Sequence, residues 1–567
     1  MYTRQIGGRR VVTTRKGRAV LTLHLVGPHP IIRHFLARMN FWQIVSSCLG
    51  TPRTTNPDHA QTLSILIQNI LLSPSPLYRI AEWARPISPD ALGLTPHEKA
   101  SLNDDRVART LDALVKPSAR SLFFRTAIRV IKEFELDTAR VHQDTTTVTF
   151  HGEYRASHDS PRITHGFNKD HRPDLKQLVF GVNVTADGAV PISHEIYNGS
   201  RADDTVHQSN VDSLRTLLGR DDFIYVADSK LCTGKNLQHI VDYGGLFVTV
   251  LPRTRIEDKR FRQSLREGEA ASWKKFVEIP SKRSLHDPPD LYSTTTRGSQ
   301  ETKEGFRLVW CRSSQKAKLD ATARENAIRK AEAELVDLNA RLNKRQLRSR
   351  KTISNQVKDI LQRHKCKRFL STTIKARTTY DIKCLRRGRP KKGDPVQKIR
   401  KRAFYLDVQR DKVALQAEAR TDGVFALVTN VPKMSKKDVL LTYKYQPYVE
   451  KRHALFKSEL DVAPVYIKKP LRAVGLIHAT FLAMTVDALI ERTLRQGMAS
   501  HGLESLPLLP EGRKTKTPTT ARLLEAFSDV SWYEVDYGEE AVVFPINLSP
   551  LQQQLLQLLG MSPKSYA

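Results

Sequence analysis

The run from Val141 to Phe150, VHQDTTTVTF, decides the fold. β-Branched and aromatic residues dominate it, and these side chains suit a pleated, half-buried surface. One acid, Asp144, interrupts the run. Working outward, Leu178–Val184 (LVFGVNV) predicts a second strand, Asp187-Gly188 a turn and Val190–Ile196 a third strand. Thr205–Leu218 has helical spacing, with Val206, Val211, Leu214 and Leu218 on one side. Phe223–Ala227 (FIYVA) is a short apolar strand that runs into Asp228, and Leu246–Leu251 (LFVTVL) is another. Three meandering strands, a helix, a strand, further helix and a strand predict an α/β sheet with mixed pairing.

The flanks differ in character. Residues 1–29 are basic and are expected to be loosely held. Residues 30–136 read as a small helical domain: Leu63, Ile67, Ile70 and Leu71 recur at helical steps. Val107, Leu111 and Leu114 do the same after Asn103-Asp104-Asp105, which resembles a helix N-terminus. Downstream, Phe306–Arg387 contains neither Gly nor Pro. Within it Ile328, Ala331, Leu335, Leu338 and Leu342 form a coiled-coil-like seam that stops at the basic stretch Lys344–Lys351. Ile353, Val357 and Ile360 then resume, so a helical hairpin with a basic elbow is expected. Strands are expected at Ala403–Val408 and Val424–Val431, and helices at Gln446–Leu460 and Leu471–Leu494. Residues 510–567 read as a small separate C-terminal unit.

Charge narrows the partners. The 567 residues include 92 Lys plus Arg against 59 Asp plus Glu, a formal net charge of +33. Solubility does not require so much charge of one sign, so a polyanion is expected, nucleic acid first. A 40% hydrophobic content excludes a wholly disordered basic chain. The five cysteines, Cys48, Cys232, Cys311, Cys366 and Cys384, stand singly, which argues against a zinc ribbon or redox dithiol and fits a reducing compartment. No signal-peptide core follows the basic N-terminus. Val474–Ile490 is apolar but carries His478 and Asp487, so it reads as a buried helix, and no membrane partner is expected.

Phosphodiester chemistry beside a polyanion calls for acids that hold Mg²⁺ or Mn²⁺. Asp144 is one candidate, since β propensity does not place an acid in that strand; a strand-start or turn-capping Asp is the plain alternative. Asp228 follows an apolar strand, where α/β sheets present functional side chains; an N-cap for the next helix is its alternative. Glu450 lies in Tyr443–Lys457 (YKYQPYVEKRHALFK), where a helix begun near Pro447 would put Glu450 and Lys457 on one face. An ordinary solvated Glu–Lys stripe would look the same.

Together these residues carry a family resemblance. Tyr443, Gln446, Glu450 and Lys457 form Tyr-x2-Gln-x3-Glu-x6-Lys, similar to the Tyr-x2-Arg-x3-Glu-x6-Lys signature of bacterial insertion-sequence DDE transposases. Asp144 and Asp228 look like the two aspartates of that family, and His165–Gln177 (HGFNKDHRPDLKQ) resembles a motif of one of its branches. Pro76–Trp83 and Leu102–Leu114 resemble that branch's helical N-terminal domain. Gln446 departs from the wider signature, which has Arg there, and a neutral amide is a weaker phosphate ligand.

The resemblance implies an RNase H-like core: a mixed five-stranded sheet flanked by helices, the first Asp on the first strand, the second just after the fourth, and the Glu on a late helix. It implies a catalytic core over residues 137–255 and 440–500, with a large insertion domain over 256–439 and an all-α, DNA-binding N-terminal domain over 30–136. Asp144, Asp228 and Glu450 would bind two Mg²⁺ or Mn²⁺ ions. Tyr443, Gln446 and Lys457 would face DNA. Lys169 and Arg172 would position DNA or balance the carboxylates. Arg386–Lys392 (RRGRPKK) resembles an AT-hook, with Arg386, Arg387, Arg389 and Lys391 on DNA, or is a basic solvated loop. Trp273 and Trp310 would be core tryptophans or would stack on a flipped base. The implied protein is cytoplasmic and bacterial, associated with the nucleoid. Its partner is double-stranded DNA, both transposon ends and target, and it works as a dimer on DNA. Two alternatives stand beside it: a metal-dependent nuclease without strand transfer, and an inactive DNA-binding repressor.

Overall fold

The computed structural model describes residues 3–566 apart from 7–8, 15–16, 51–56, 155–160, 281–287, 345, 386–394, 460–466, 468 and 537–540. The chain divides into two compact units, Met1–Thr249 with Leu440–Ala567, and Val250–Val439.

In the first unit the N-terminal residues are not a loose tail. β1 (Thr3–Ile6), β2 (Arg9–Thr14) and β3 (Gly17–Leu25) form an antiparallel meander. β3 pairs with β15 (Ser531–Asp536), which pairs with β16 (Ala541–Phe544), so the C-terminal residues join the same sheet rather than a separate unit. The His24 ring stacks on Trp532 at 3.7 Å, and His24 Nε2 lies 3.3 Å from Glu534 Oε2. Cross-strand pairs of this kind are what hold a sheet together.

The expected strand at Val141–Phe150 is β4 (Arg140–Phe150). β5 (Lys176–Thr185) and β6 (Pro191–Asn198) follow it antiparallel. β7 (Ile224–Val226) lies parallel to β4, and β8 (Leu246–Val250) parallel to β7. The spatial order is β6-β5-β4-β7-β8. β5 is buried along almost its whole length, as a strand covered on both faces must be. Helices Ala119–Glu133 and Pro470–Ser500 lie on β6, and helix Pro447–Ala454 lies on β4.

The N-terminal helices His29–Arg38, His59–Leu72 and Asp104–Leu114 gather around the long helix Pro470–Ser500. Asn103 caps its helix as its sequence predicts, its side chain accepting from the Arg106 amide at 3.0 Å. Gly475 lets two helices approach closely, because a Cβ there would meet the Leu111 carbonyl oxygen at 2.5 Å. Among the described residues, Pro470–Ser500 is the one helix long and apolar enough to cross a membrane, with mean hydropathy 1.8 in its most apolar window. That window is 89% buried inside the protein, so its apolar surface is already covered.

The second unit holds β9 (Lys274–Ile279), β10 (Asp290–Thr294) and β11 (Arg307–Ser313), joined antiparallel. Next come helices Ser314–Arg341 and Arg350–Arg363, the expected hairpin, closed by Ile328, Ala331, Leu335 and Leu338 against Ile353, Val357 and Ile360. β12 (Leu370–Cys384) and β13 (Val396–Arg410) form a separate two-stranded ribbon, and β14 (Val424–Thr429) then pairs with β11. Trp310 is a core side chain: it is 1% exposed, lies 4.2 Å from the Phe261 ring and donates Nε1–H to the Ser299 carbonyl at 2.8 Å. Trp273 is half-buried, 6.4 Å from the same ring.

Candidate functional site

Strand register sets two acids side by side. His142 pairs in parallel with Val226, the last pair between β4 and β7. Asp144 and Asp228 each lie two residues further on, so the strand period returns them to one face. Asp144 sits inside β4, neither at its start nor in a turn, and its Oδ1 accepts from the Thr145 amide at 2.7 Å. Asp228 does not cap the next helix. Thr233 does that, while Asp228 Oδ1 accepts from the Lys230 amide at 2.9 Å.

Helix Pro447–Ala454 brings the third acid. Gln446, at its N-terminus, lies against His142, two residues before Asp144 on the same strand face. Glu450 lies four residues beyond Gln446. Four helical residues (~6 Å) and two strand residues (~6.8 Å) are nearly equal advances, and the Asp144 charge reaches Glu450. The Gln446 amide donates to the Gln143 carbonyl at 2.7 Å, which turns its oxygen to the Nδ1–H of His142 at 3.2 Å. Gln446 is 6% exposed with both ends of its amide engaged. It therefore ties the helix to the strand instead of facing DNA, a correction to the sequence reading; buried amides take internal partners. Arg452 fixes the same helix from its other side, donating to the Ala189 carbonyl at 3.0 Å and to Asp487 Oδ2 at 2.7 Å.

The acids feel one another. Burial pushes the Asp144 carboxyl above its ordinary range, and Asp203 adds to the rise, against Lys169 and the Thr145 amide. Burial raises Asp228 too, with Asp144 and Asp203 adding to it. Glu450 is raised by burial and by Asp144. The Tyr443 phenol is raised by burial and then by Asp228, Glu450 and Asp144, so it lies within reach of all three charges.

The block His165–Gln177 forms a loop against this cluster. Gly166 is required there, since a Cβ would lie 2.0 Å from the Gly199 carbonyl oxygen. Asn168 Oδ1 accepts from the Asp170 and Arg172 amides at 2.8 and 3.3 Å, which shapes the turn. Adjacent residues then reach opposite charges. Lys169 Nζ donates to the Thr145 carbonyl at 2.6 Å and stands 3.4 Å from Asp203 and 3.9 Å from Asp144. Asp170 accepts from Lys457 Nζ at 2.8 and 2.7 Å. Lys169 thus balances carboxylates, the second of its two expected roles. Arg172 is paired with Asp174 at 2.9 and 2.7 Å on the surface. Lys457 lies in the π-helical segment Leu455–Glu459, which follows the α-helix carrying Glu450. Arg386, Arg387, Arg389 and Lys391 lie outside the described residues.

Two residues escaped the sequence reading. Asp203, in the turn Asp203–Thr205, accepts from Thr145 Oγ1 at 2.9 Å. No periodicity marks it. His453 Nε2 lies 3.8 Å from Asp144 Oδ2, and burial pushes the ring down to about 3, so it is neutral. Its signal was present: it stands one helical step, i+3, from Glu450.

Carboxylate oxygens on a partly buried face are the donors a hard divalent cation takes, and such an ion would relieve the repulsion among them. Among the described residues, no three His, Cys, Asp or Glu side chains are grouped closely enough to hold one ion. The acids couple in pairs, Asp144 with Asp228 and Asp144 with Glu450. Mg²⁺ is commonly held by one or two carboxylates with waters and substrate phosphates, so the pairs fit it where a closed cage would not form.

Residues 22–128 match a family model described as a domain of unknown function, DUF4277. No curated protein matches the chain. Among solved structures, a piggyBac transposase synaptic complex with hairpin DNA aligns at 10% identity and a TM-score of 0.27, over 54% of this chain and 63% of that one. The alignment thus spans less than two thirds of that transposase chain.

Proposed function

We propose that this protein is a transposase of the DDE type, which cleaves DNA at the ends of a mobile element and joins those ends to target DNA. The observation that carries the reading is the placement of Asp144 two residues beyond the last β4–β7 pair, as Asp228 is, with its charge felt by both Asp228 and Glu450. The sheet order β6-β5-β4-β7-β8, antiparallel then parallel, supports an RNase H-like core.

Asp144, Asp228 and Glu450 would hold two Mg²⁺ or Mn²⁺ ions. When bound, such ions supply an activated oxygen nucleophile and charge stabilisation at phosphorus. The chain's own residues do the rest. Gln446 and Arg452 orient the helix that carries Glu450. Lys169 balances the charge of Asp144 and Asp203. Lys457 exchanges Asp170 for a DNA phosphate, and Tyr443 hydrogen-bonds beside it. The net charge of +33 draws duplex DNA to the site. The free cysteines suit the bacterial cytoplasm.

The test is incubation of the full chain with duplex DNA carrying the flanking inverted repeats, with Mg²⁺ or Mn²⁺ and with EDTA. Metal-dependent nicking at the repeat ends, and joining of pre-cut ends to a plasmid, are expected. Cleavage without joining would leave a nuclease; binding without either would leave a repressor.

A further inference from the structure

The ribbon β12–β13 has two halves of different chemistry. In antiparallel register, directly opposed residues share a face. The inner half is held by the helical hairpin: Leu370 and Leu406 are buried in its core, and Ile374, Phe404 and Val408 lie against it. The outer half has no such support. Every residue from Val396 to Arg402 is exposed, as are Arg377, Thr378, Tyr380, Ile382 and Lys383 on the opposite strand. Both faces of the outer half therefore meet solvent. A bare two-stranded hairpin is only marginally stable, and strands of 15 residues exceed the usual ~3–10.

The outer residues are cationic. Arg377, Lys383, Lys398, Arg400, Lys401 and Arg402 stand against one acid, Asp381. Charge on an exposed strand can serve only to block edge-to-edge aggregation, but that purpose is met by either sign. Nor does it explain Tyr380 and Ile382, 61% and 67% exposed and paired across the ribbon with Arg400 and Lys398. Cations interleaved with exposed aromatic and aliphatic side chains suit a groove with anionic walls and a floor of base edges, where thymine methyls take apolar contacts.

The dimensions choose the surface. The ribbon's strands lie ~4.8 Å apart, and the major groove of B-form DNA, ~12 Å wide, admits a two-stranded ribbon. Arg402, Arg400 and Lys398 fall on one face at steps of ~6.8 Å, twice the ~3.4 Å axial spacing of phosphates on one strand. The A-form major groove of duplex RNA is too deep and narrow for such entry. We propose that the outer half of β12–β13 is an arm that lies in the major groove of double-stranded DNA, cations on the phosphates and Tyr380 and Ile382 toward the bases. The inference rests on the proposed function for its choice of DNA as substrate.

The experiment uses the full chain and a 30-bp duplex, with affinity measured across a salt series. The triple variant Lys398→Gln, Arg400→Gln, Arg402→Gln is expected to weaken binding and reduce the slope of log K against log[salt] by about 2–3. The pair Tyr380→Ser, Ile382→Ser is expected to weaken binding with the slope unchanged, since those contacts release no counterions. Methylation of guanine N7 is expected to interfere with wild-type binding and not with the triple variant. An unchanged slope in the triple variant, at an unchanged melting temperature, overturns the arm. So does a slope change seen only with an RNA hairpin or anionic vesicles. Wild-type metal-dependent cleavage is read separately: its absence beside a ribbon-dependent slope overturns the catalytic reading and leaves the arm standing.

Discussion

The acid cluster and the outer ribbon use charge in opposite ways. Around Asp144 the charges are paired: Lys169 with Asp203 at 3.4 Å, Lys457 with Asp170 at 2.7 Å, and the buried Arg452 with Asp487 at 2.7 Å. Along the outer ribbon Arg377, Lys383, Lys398, Arg400 and Arg402 are exposed cations of one sign. Pairing in a place of low dielectric makes each charge matter more to its neighbour and less to the bulk. Exposed cations of one sign are screened within ~8 Å at physiological salt and gain most from a polyanion whose counterions they displace. Under the proposed function the difference is a division of labour, in which one region would prepare a reaction and the other would capture its substrate. Salt should weaken capture long before it disturbs the cluster.

The sharpest way to break this comparison is to remove charge from the cluster alone. Asp228→Asn is expected to lower metal-dependent DNA cleavage by about 10³-fold or more, the scale of losing a group that acts on the transition state. Duplex affinity and its salt slope should stay as in the wild type. Parallel loss of affinity and cleavage would assign Asp228 a structural role. A somewhat smaller effect is expected from Arg452→Ala, read as stability. It takes from Asp487, 6% exposed, a cation that lies 2.7 Å away, while Glu491 keeps its closer partner Arg495. Breaking one side of a buried pair costs about 3–5 kcal/mol. Urea denaturation of the metal-free chain measures it, and an unshifted midpoint would show that the Glu450 helix is held by other contacts.

What the sequence made legible follows from how local each signal is. VHQDTTTVTF and FIYVA are continuous strand patterns, and they became β4 and β7 with Asp144 and Asp228 at the expected points. The Ile328–Leu338 seam is a helical period, and it closed the hairpin. The failures are non-local. β3 finds its partner in β15, some 500 residues away, and no window of sequence contains both. Gln446 looked like a DNA contact because its partners, His142 and the Gln143 carbonyl, lie on a strand 300 residues earlier. Asp203 is a turn acid whose place depends on where the sheet puts Thr145. The outer ribbon hid for a different reason: lysines and arginines at almost every position of Lys398–Arg402 mask the alternation that marks a strand.

The smallest effect tests whether the cluster is under tension when no cation is bound. The Asp144 carboxyl lies above its ordinary range in the folded chain, chiefly through burial. A group raised in this way binds its proton more tightly when folded. Stability from it is then full at pH values below the unfolded carboxylate range and is lost as pH rises through the folded value. Asp144→Asn removes that penalty, so at pH 7 the metal-free variant should melt about 1–3 °C above the wild type. The gap should close as pH falls below the unfolded carboxylate range, where Asp144 is protonated in both states. Added Mg²⁺ should reverse the order by stabilising only the wild type. The ribbon's triple variant, which relieves no burial, should show no such pH-dependent difference. A variant that melts lower than the wild type at pH 7 would mean that the attraction of Lys169 outweighs the desolvation of Asp144, and that the cluster is as well balanced empty as the ribbon is in water.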